Sequence, residues 1–148
     1  MFKSIKRIAL AVVVCCVFLC LLPGCSAKSP VDVNAVRAYA DPMTEDVLLA
    51  LSQGDYGSFC DSFNQKMKDA IPEDIFENLR DMVKEKIGDY TEKEFVQAEK
   101  QGQFTVVIYR AGFSLEPDDV IITISFEEVS GKEYVAGFYL NSPKLRAK

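Results

Sequence analysis

The sequence predicts an α+β domain in which N-terminal helices pack on one face of a four-stranded antiparallel sheet. Three observations carry that class. Apolar residues recur at steps of three and four between Met43 and Ile87. Beyond Gly88 the period falls to two, so that Val120, Ile122, Ile124 and Phe126 alternate with Ile121, Thr123, Ser125 and Glu127. The gaps between the later segments are short and rich in turn residues, which favours hairpins. A run of helices followed by a run of strands is the α+β pattern, in which each layer's apolar face needs the other. A chain of 148 residues is enough for one such domain.

Taken in order, the first segment is a leader. Lys3, Lys6 and Arg7 precede an unbroken apolar run of 15 residues at 8–22. A membrane-spanning helix needs roughly 20. A basic start, a short apolar run and a break at Pro23-Gly24 predict a signal peptide at 1–24 rather than an uncleaved anchor. Leu22-Pro23-Gly24-Cys25 resembles the lipobox of bacterial lipoproteins, whose cysteine thiol receives a diacylglycerol before cleavage. Pro23 departs from that pattern, where a small Ala, Ser or Thr is usual. The resemblance implies lipid attachment at Cys25 and a membrane partner reached through that N-terminal acylation. The protein is then expected in the bacterial cell envelope, on the outer side of the cytoplasmic membrane or, in a two-membrane cell, on the outer membrane.

Cleavage before Cys25 removes Cys15, Cys16 and Cys20 and leaves Cys60 as the one unmodified thiol, so no intramolecular disulfide is expected. It also lowers the basic residues from 17 to 14 against 22 acidic ones, a net charge near −8. That balance argues against nucleic acid as a partner, which rewards clustered Lys and Arg. It argues equally against electrostatic adhesion to anionic lipid.

Residues 25–40 are expected to form a lipidated tether, 41–141 a single α+β domain, and 142–148 a short basic tail. Asp41-Pro42 reads as a helix start, with an N-cap followed by Pro at the first helical position. Met43, Val47, Leu48 and Leu51 give that helix its apolar face, and Gly54 stops it as a left-handed cap. Asp55 caps the next helix, with Tyr56, Phe59, Phe63 and Met67 as its stripe. A third helix follows Ile71-Pro72 and ends at Gly88. Strands are expected at 95–100, 104–115, 120–129 and 133–141. The turns between them fall at Gln101-Gly102, Pro117-Asp118-Asp119 and Ser130-Gly131. The second strand is apolar on both faces, Phe104, Val106 and Ile108 on one and Val107, Tyr109 and Phe113 on the other. It therefore needs cover on both sides, from the chain's own curvature, a homodimer, an envelope protein or a ligand.

Leu51-Ser52-Gln53-Gly54-Asp55-Tyr56, Phe59, the stretch from Phe76 to Gly88 and the run "TVVIY" at 105–109 resemble a bacterial lipoprotein domain of unknown function, the domain-of-unknown-function family 3887. The resemblance implies a nuclear-transport-factor-like, cystatin-like roll: a curved antiparallel sheet with helices in its concavity, often enclosing a pocket. It carries over no catalytic residue.

The residues themselves offer little chemistry. There is no histidine, which removes the usual general base and the commonest metal ligand. There is no C-x-x-C, nucleophile elbow or phosphate-binding glycine loop. Cys60 reads as a small buried apolar residue. Asp118-Asp119 and Glu127-Glu128 lack the ligand spacing of a calcium loop, so no metal or other cofactor is expected. One acid–base pair stands out: Asp55 with Tyr109, since a buried carboxylate beside a phenol can move a proton next to a carbonyl. The ordinary alternatives are a helix cap for Asp55 and a sheet aromatic for Tyr109. The expectation is a membrane-tethered, non-enzymatic domain that binds a small apolar ligand or a protein partner. An acid–base enzyme and a structural homodimeric envelope subunit are the alternatives.

Overall fold

The computed structural model describes residues 30–147. Leu22, Pro23, Gly24 and Cys25 lie outside the described residues. Among the described residues, five helices, α1 Val33–Gln53, α2 Tyr56–Cys60, α3 Gln65–Ala70, α4 Glu73–Lys86 and α5 Pro143–Arg146, flank strands β1 Tyr90–Gln101, β2 Phe104–Phe113, β3 Glu116–Val129 and β4 Lys132–Asn141. The strands form one antiparallel sheet in the order β1-β2-β3-β4, as a meander predicts. The α+β class is therefore correct. Register shifts at Tyr90/Glu92, Phe95/Gln97, Ala111/Phe113 and Ser125/Phe126 bend and twist this open sheet.

The cap of α1 lies nine residues before the expected Asp41, and the helix absorbs the second half of the predicted tether. Asp32 is its cap, accepting from the backbone of Asn34 and Ala35. Pro42 lies inside the helix rather than at its first turn. Burial of Val36 and Ala40 in the core, together with the Asp32 cap, outweighs the backbone hydrogen bond that Pro42 removes. Gly54 closes α1 at φ 74, and Asp55 caps α2, both as expected.

The predicted second helix is instead two. Ser62, Phe63 and Asn64 pair with β4: Asn64 N donates to Val135 O at 3.0 Å and Val135 N to Ser62 O at 2.8 Å. This pairing covers part of the free β4 edge and breaks the helix, and Asn64 then caps α3. The second hairpin turn falls at Ser114-Leu115, ahead of Pro117, because Ser114 N and Leu115 N bond to Asp89 O and Ile87 O. The tail is also docked: Lys144 N donates to the buried Glu116, and Lys86 Nζ to Ala147 O at 2.7 Å.

The core lies between the helices and one sheet face. Leu48 and Leu51 from α1, Phe59 and Phe76 from α2 and α4, and Tyr109, Ile122, Ile124 and Phe126 from the sheet are all buried. Phe59 anchors it, with ring centroids 4.7 Å from Phe76, 4.9 Å from Phe63 and 6.0 Å from Phe138.

Candidate functional site

α1 presents Arg37, Asp41 and Glu45 at steps of four, so all three share one helical face. That face lies over β1 and β2. Tyr109 Oη donates to Asp41 Oδ1 at 2.8 Å, while Arg37 Nε reaches Asp41 Oδ2 at 3.0 Å. One turn on, Tyr90 Oη donates to Glu45 Oε2 at 2.8 Å and Lys93 Nζ to the same oxygen at 2.5 Å. Each carboxylate thus takes one phenol and one cation. The two clamps touch: Lys93 Nζ lies 5.6 Å from the Tyr109 ring centroid, and the Arg37 guanidinium 5.0 Å from that of Phe95.

Burial, and then the hydrogen bond to a carboxylate, push both Tyr90 and Tyr109 well above the usual phenol range. Near neutral pH these hydroxyls are donors held to acids, a state suited to fixing α1 on the sheet. The pair expected from the sequence is not assembled. Asp55 sits beyond the far end of α1, exposed, and accepts from Ser58 Oγ at 2.7 Å and Ser58 N at 3.1 Å. Those bonds lower its pKa, the side-chain bond most. Tyr109 has Asp41 as its partner instead. The spacing of Arg37, Asp41 and Glu45 was the available signal for this face, and the helix-start reading of Asp41-Pro42 concealed it.

Cys60 is buried and its thiol is pushed up by desolvation, which disfavours the thiolate a nucleophile needs. Among the described residues no cluster of three His, Cys, Asp or Glu side chains is placed to hold a metal ion. Among them, too, no helix is long and apolar enough to cross a membrane.

The other sheet face carries a different feature. Phe104, Glu127 and Tyr134 are cross-strand partners in one row, facing away from the core. Val106 and Ser125 form the next row, and Ile108, Thr123 and Tyr139 the one after. Tyr139 is 62 % exposed. At the hairpin end of this face, α3 rises beside the first row and encloses a groove of about 540 Å³. Phe104, Val129, Tyr134 and Ala136 give it apolar walls, with Lys66 and Lys68 also lining it. Asn64 Nδ2 donates to Glu127 Oε1 at 2.6 Å and so occupies the one carboxylate in the lining. A second hollow, about 410 Å³ between α1 and α2, is polar, with Asp46, Gln53, Ser58 and Asp61 in its lining.

A family model described as "Protein of unknown function (DUF3887)" matches residues 44–138, and the chain belongs to that family. The matched region contains Glu45, Tyr90, Lys93 and Tyr109 and the whole lining of the groove, while Arg37 and Asp41 precede it. No curated protein matches the chain.

Proposed function

We propose that this protein is an extracytoplasmic lipoprotein, held to a membrane by acylation of Cys25, whose folded domain is a non-catalytic binding module. The ligand site is the groove between α3 and the outer sheet face, and its ligand is a small apolar molecule. The groove carries this reading. Its size lies within the roughly 300–1,000 Å³ of small-molecule sites, and apolar walls with a few charged groups are the usual composition of such a site. The acid–base groups support the same side of the argument. Tyr109 and Tyr90 are donors to carboxylates, and Asp55 is a helix cap.

Two measurements test it. Labelled fatty acid enters the wild-type protein in growing cells and fails to enter Cys25→Ala. Label in both, or in neither, defeats the lipoprotein half. A fluorescent fatty-acid analogue binds the protein, and Ala136→Trp, which fills the groove, weakens that binding at least tenfold. Equal binding by the variant defeats the groove as the ligand site.

A further inference from the structure

We infer that the hairpin end of the domain seats on the bilayer, and that the groove between α3 and the outer sheet face takes a membrane phospholipid. Acyl chains lie against Phe104, Val129 and Tyr134, and the phosphate lies on Lys66 and Lys68. The inference rests on the lipoprotein reading above and names the ligand of the same groove.

The tether decides which end of the domain meets the membrane. α1 runs antiparallel to β1: Arg37 lies over Phe95, Glu45 binds Lys93, and Ser52 Oγ accepts from Tyr90 N. Its N-terminus therefore points toward the tips of the β1–β2 and β3–β4 hairpins. Tyr39 confirms the level, packed edge-on against Phe126 at 5.2 Å. Val31 is already packed on the core. Only six residue steps separate it from Cys25, at most about 22 Å of extended chain. A domain of roughly 100 residues has a radius of gyration near 13 Å and so a diameter exceeding that leash. The hairpin end stays at the surface, and the far end, at Gly54 and Ser114, stays away from it.

What lies at the hairpin end matches a bilayer surface. Val129, at the tip of the β3–β4 hairpin, is 48 % exposed, and Phe104 follows the β1–β2 turn. Both line the groove, which therefore reaches the tips. Among the described residues neither Lys66 nor Lys68 is paired with a carboxylate. The acidic charge of the domain as a whole opposes general adhesion to anionic lipid, so contact has to come from a local site of this kind.

The chain contains no tryptophan, so a single introduced one is a clean reporter. Val129→Trp is made in the full chain, which is reconstituted into phosphatidylethanolamine and phosphatidylglycerol vesicles containing lipid brominated in the acyl chain. Tyr139→Trp serves as the comparison: it is exposed on the same face and pairs with Thr123, six residues and about 20 Å along β3 from Val129. The expected result is quenching several-fold stronger at 129 than at 139. Lys66→Glu with Lys68→Glu should cut quenching at 129 at least threefold while the chain stays on the vesicles. In the wild-type chain, amide exchange across 127–134 should slow on vesicles, a reading free of any substitution. Vesicle-bound protein with equal quenching at both positions, or with unchanged exchange, overturns the docking and leaves the anchor intact. Failure to associate with vesicles, together with no fatty-acid label at Cys25, overturns the anchor and the docking with it.

Discussion

Tyr109 and Asp41, 68 residues apart in sequence, are joined by a 2.8 Å hydrogen bond that pins the middle of α1 to the centre of the sheet. The phenol is buried and the carboxylate is 30 % exposed and shared with Arg37. Tyr109→Phe removes the oxygen and keeps the ring that packs on Phe95. A hydrogen bond to a charged group is worth about 1.5–3 kcal/mol, and water with Arg37 can partly replace this one, so the expected loss is about 1–2 kcal/mol. Urea unfolding reads it as a lower midpoint at unchanged slope. A loss below about 0.3 kcal/mol would show that the bond does not hold α1.

The same burial makes the protein sensitive to alkali. Free tyrosine ionises near pH 10, and Tyr90 and Tyr109 are raised well above that in the folded chain. Between those limits the unfolded state binds fewer protons than the folded one, so stability falls as pH rises. It is fully present below about pH 10 and is lost as pH climbs toward the folded values. A phenolate absorbance titration should therefore show a late component that appears together with unfolding. Tyr90→Phe with Tyr109→Phe should abolish that component.

Two glycines separate backbone conformation from crowding. Gly54 at φ 74 and Gly88 at φ 86 both occupy the left-handed region. A Cβ on Gly54 would approach the flexible end of Arg80 at 3.0 Å. On Gly88 it would overlap Ser114 Oγ and lie 3.2 Å from the Leu115 backbone nitrogen. Gly54→Ala should cost about 1–2 kcal/mol, the left-handed penalty alone. Gly88→Ala should cost more, because the Ser114-Leu115 turn must shift as well. Thermal denaturation that ranks the two in the opposite order would refute this account.

Much of the fold was legible where local chemistry decides it. Gly54 and Asp55 gave the corner between α1 and α2, Gly88 the end of the last long helix, and the change of period the start of the sheet. The misplacements share one cause. Phe63 continues a helical stripe in sequence, but backbone pairing of Ser62 and Asn64 with Val135 breaks the helix there. Pro117 looks like a turn residue, but bonds from Ser114 and Leu115 to the end of α4 set the turn earlier. In each case a contact made across the fold overrides a sound local rule. The candidate site follows suit. The apolar outer row of β2 was readable from its alternation, but the groove needs α3 beside β4, which no local pattern encodes. The Asp41–Tyr109 bond was hidden because Asp41 also fits a helix cap.

That ambiguity at Asp41-Pro42 can be tested directly. If α1 begins at Asp32, the proline occupies a helix interior, where it lacks the donor to the preceding turn and costs about 3 kcal/mol relative to Ala. Its ring is exposed, so replacement leaves no cavity. Pro42→Ala should then stabilise the domain, by about 1–3 kcal/mol once the greater freedom of the unfolded chain is subtracted. Were the helix to start at Asp41, proline would stand at its first position and the same change would be neutral or destabilising. Asp32→Ala gives the complementary arm. It removes the acceptor for Asn34 N and Ala35 N and should cost about 1 kcal/mol, whereas a free tether residue would cost nothing. Equilibrium denaturation of both variants in the full chain distinguishes the two starts, because they predict opposite signs for the proline and a zero for the aspartate.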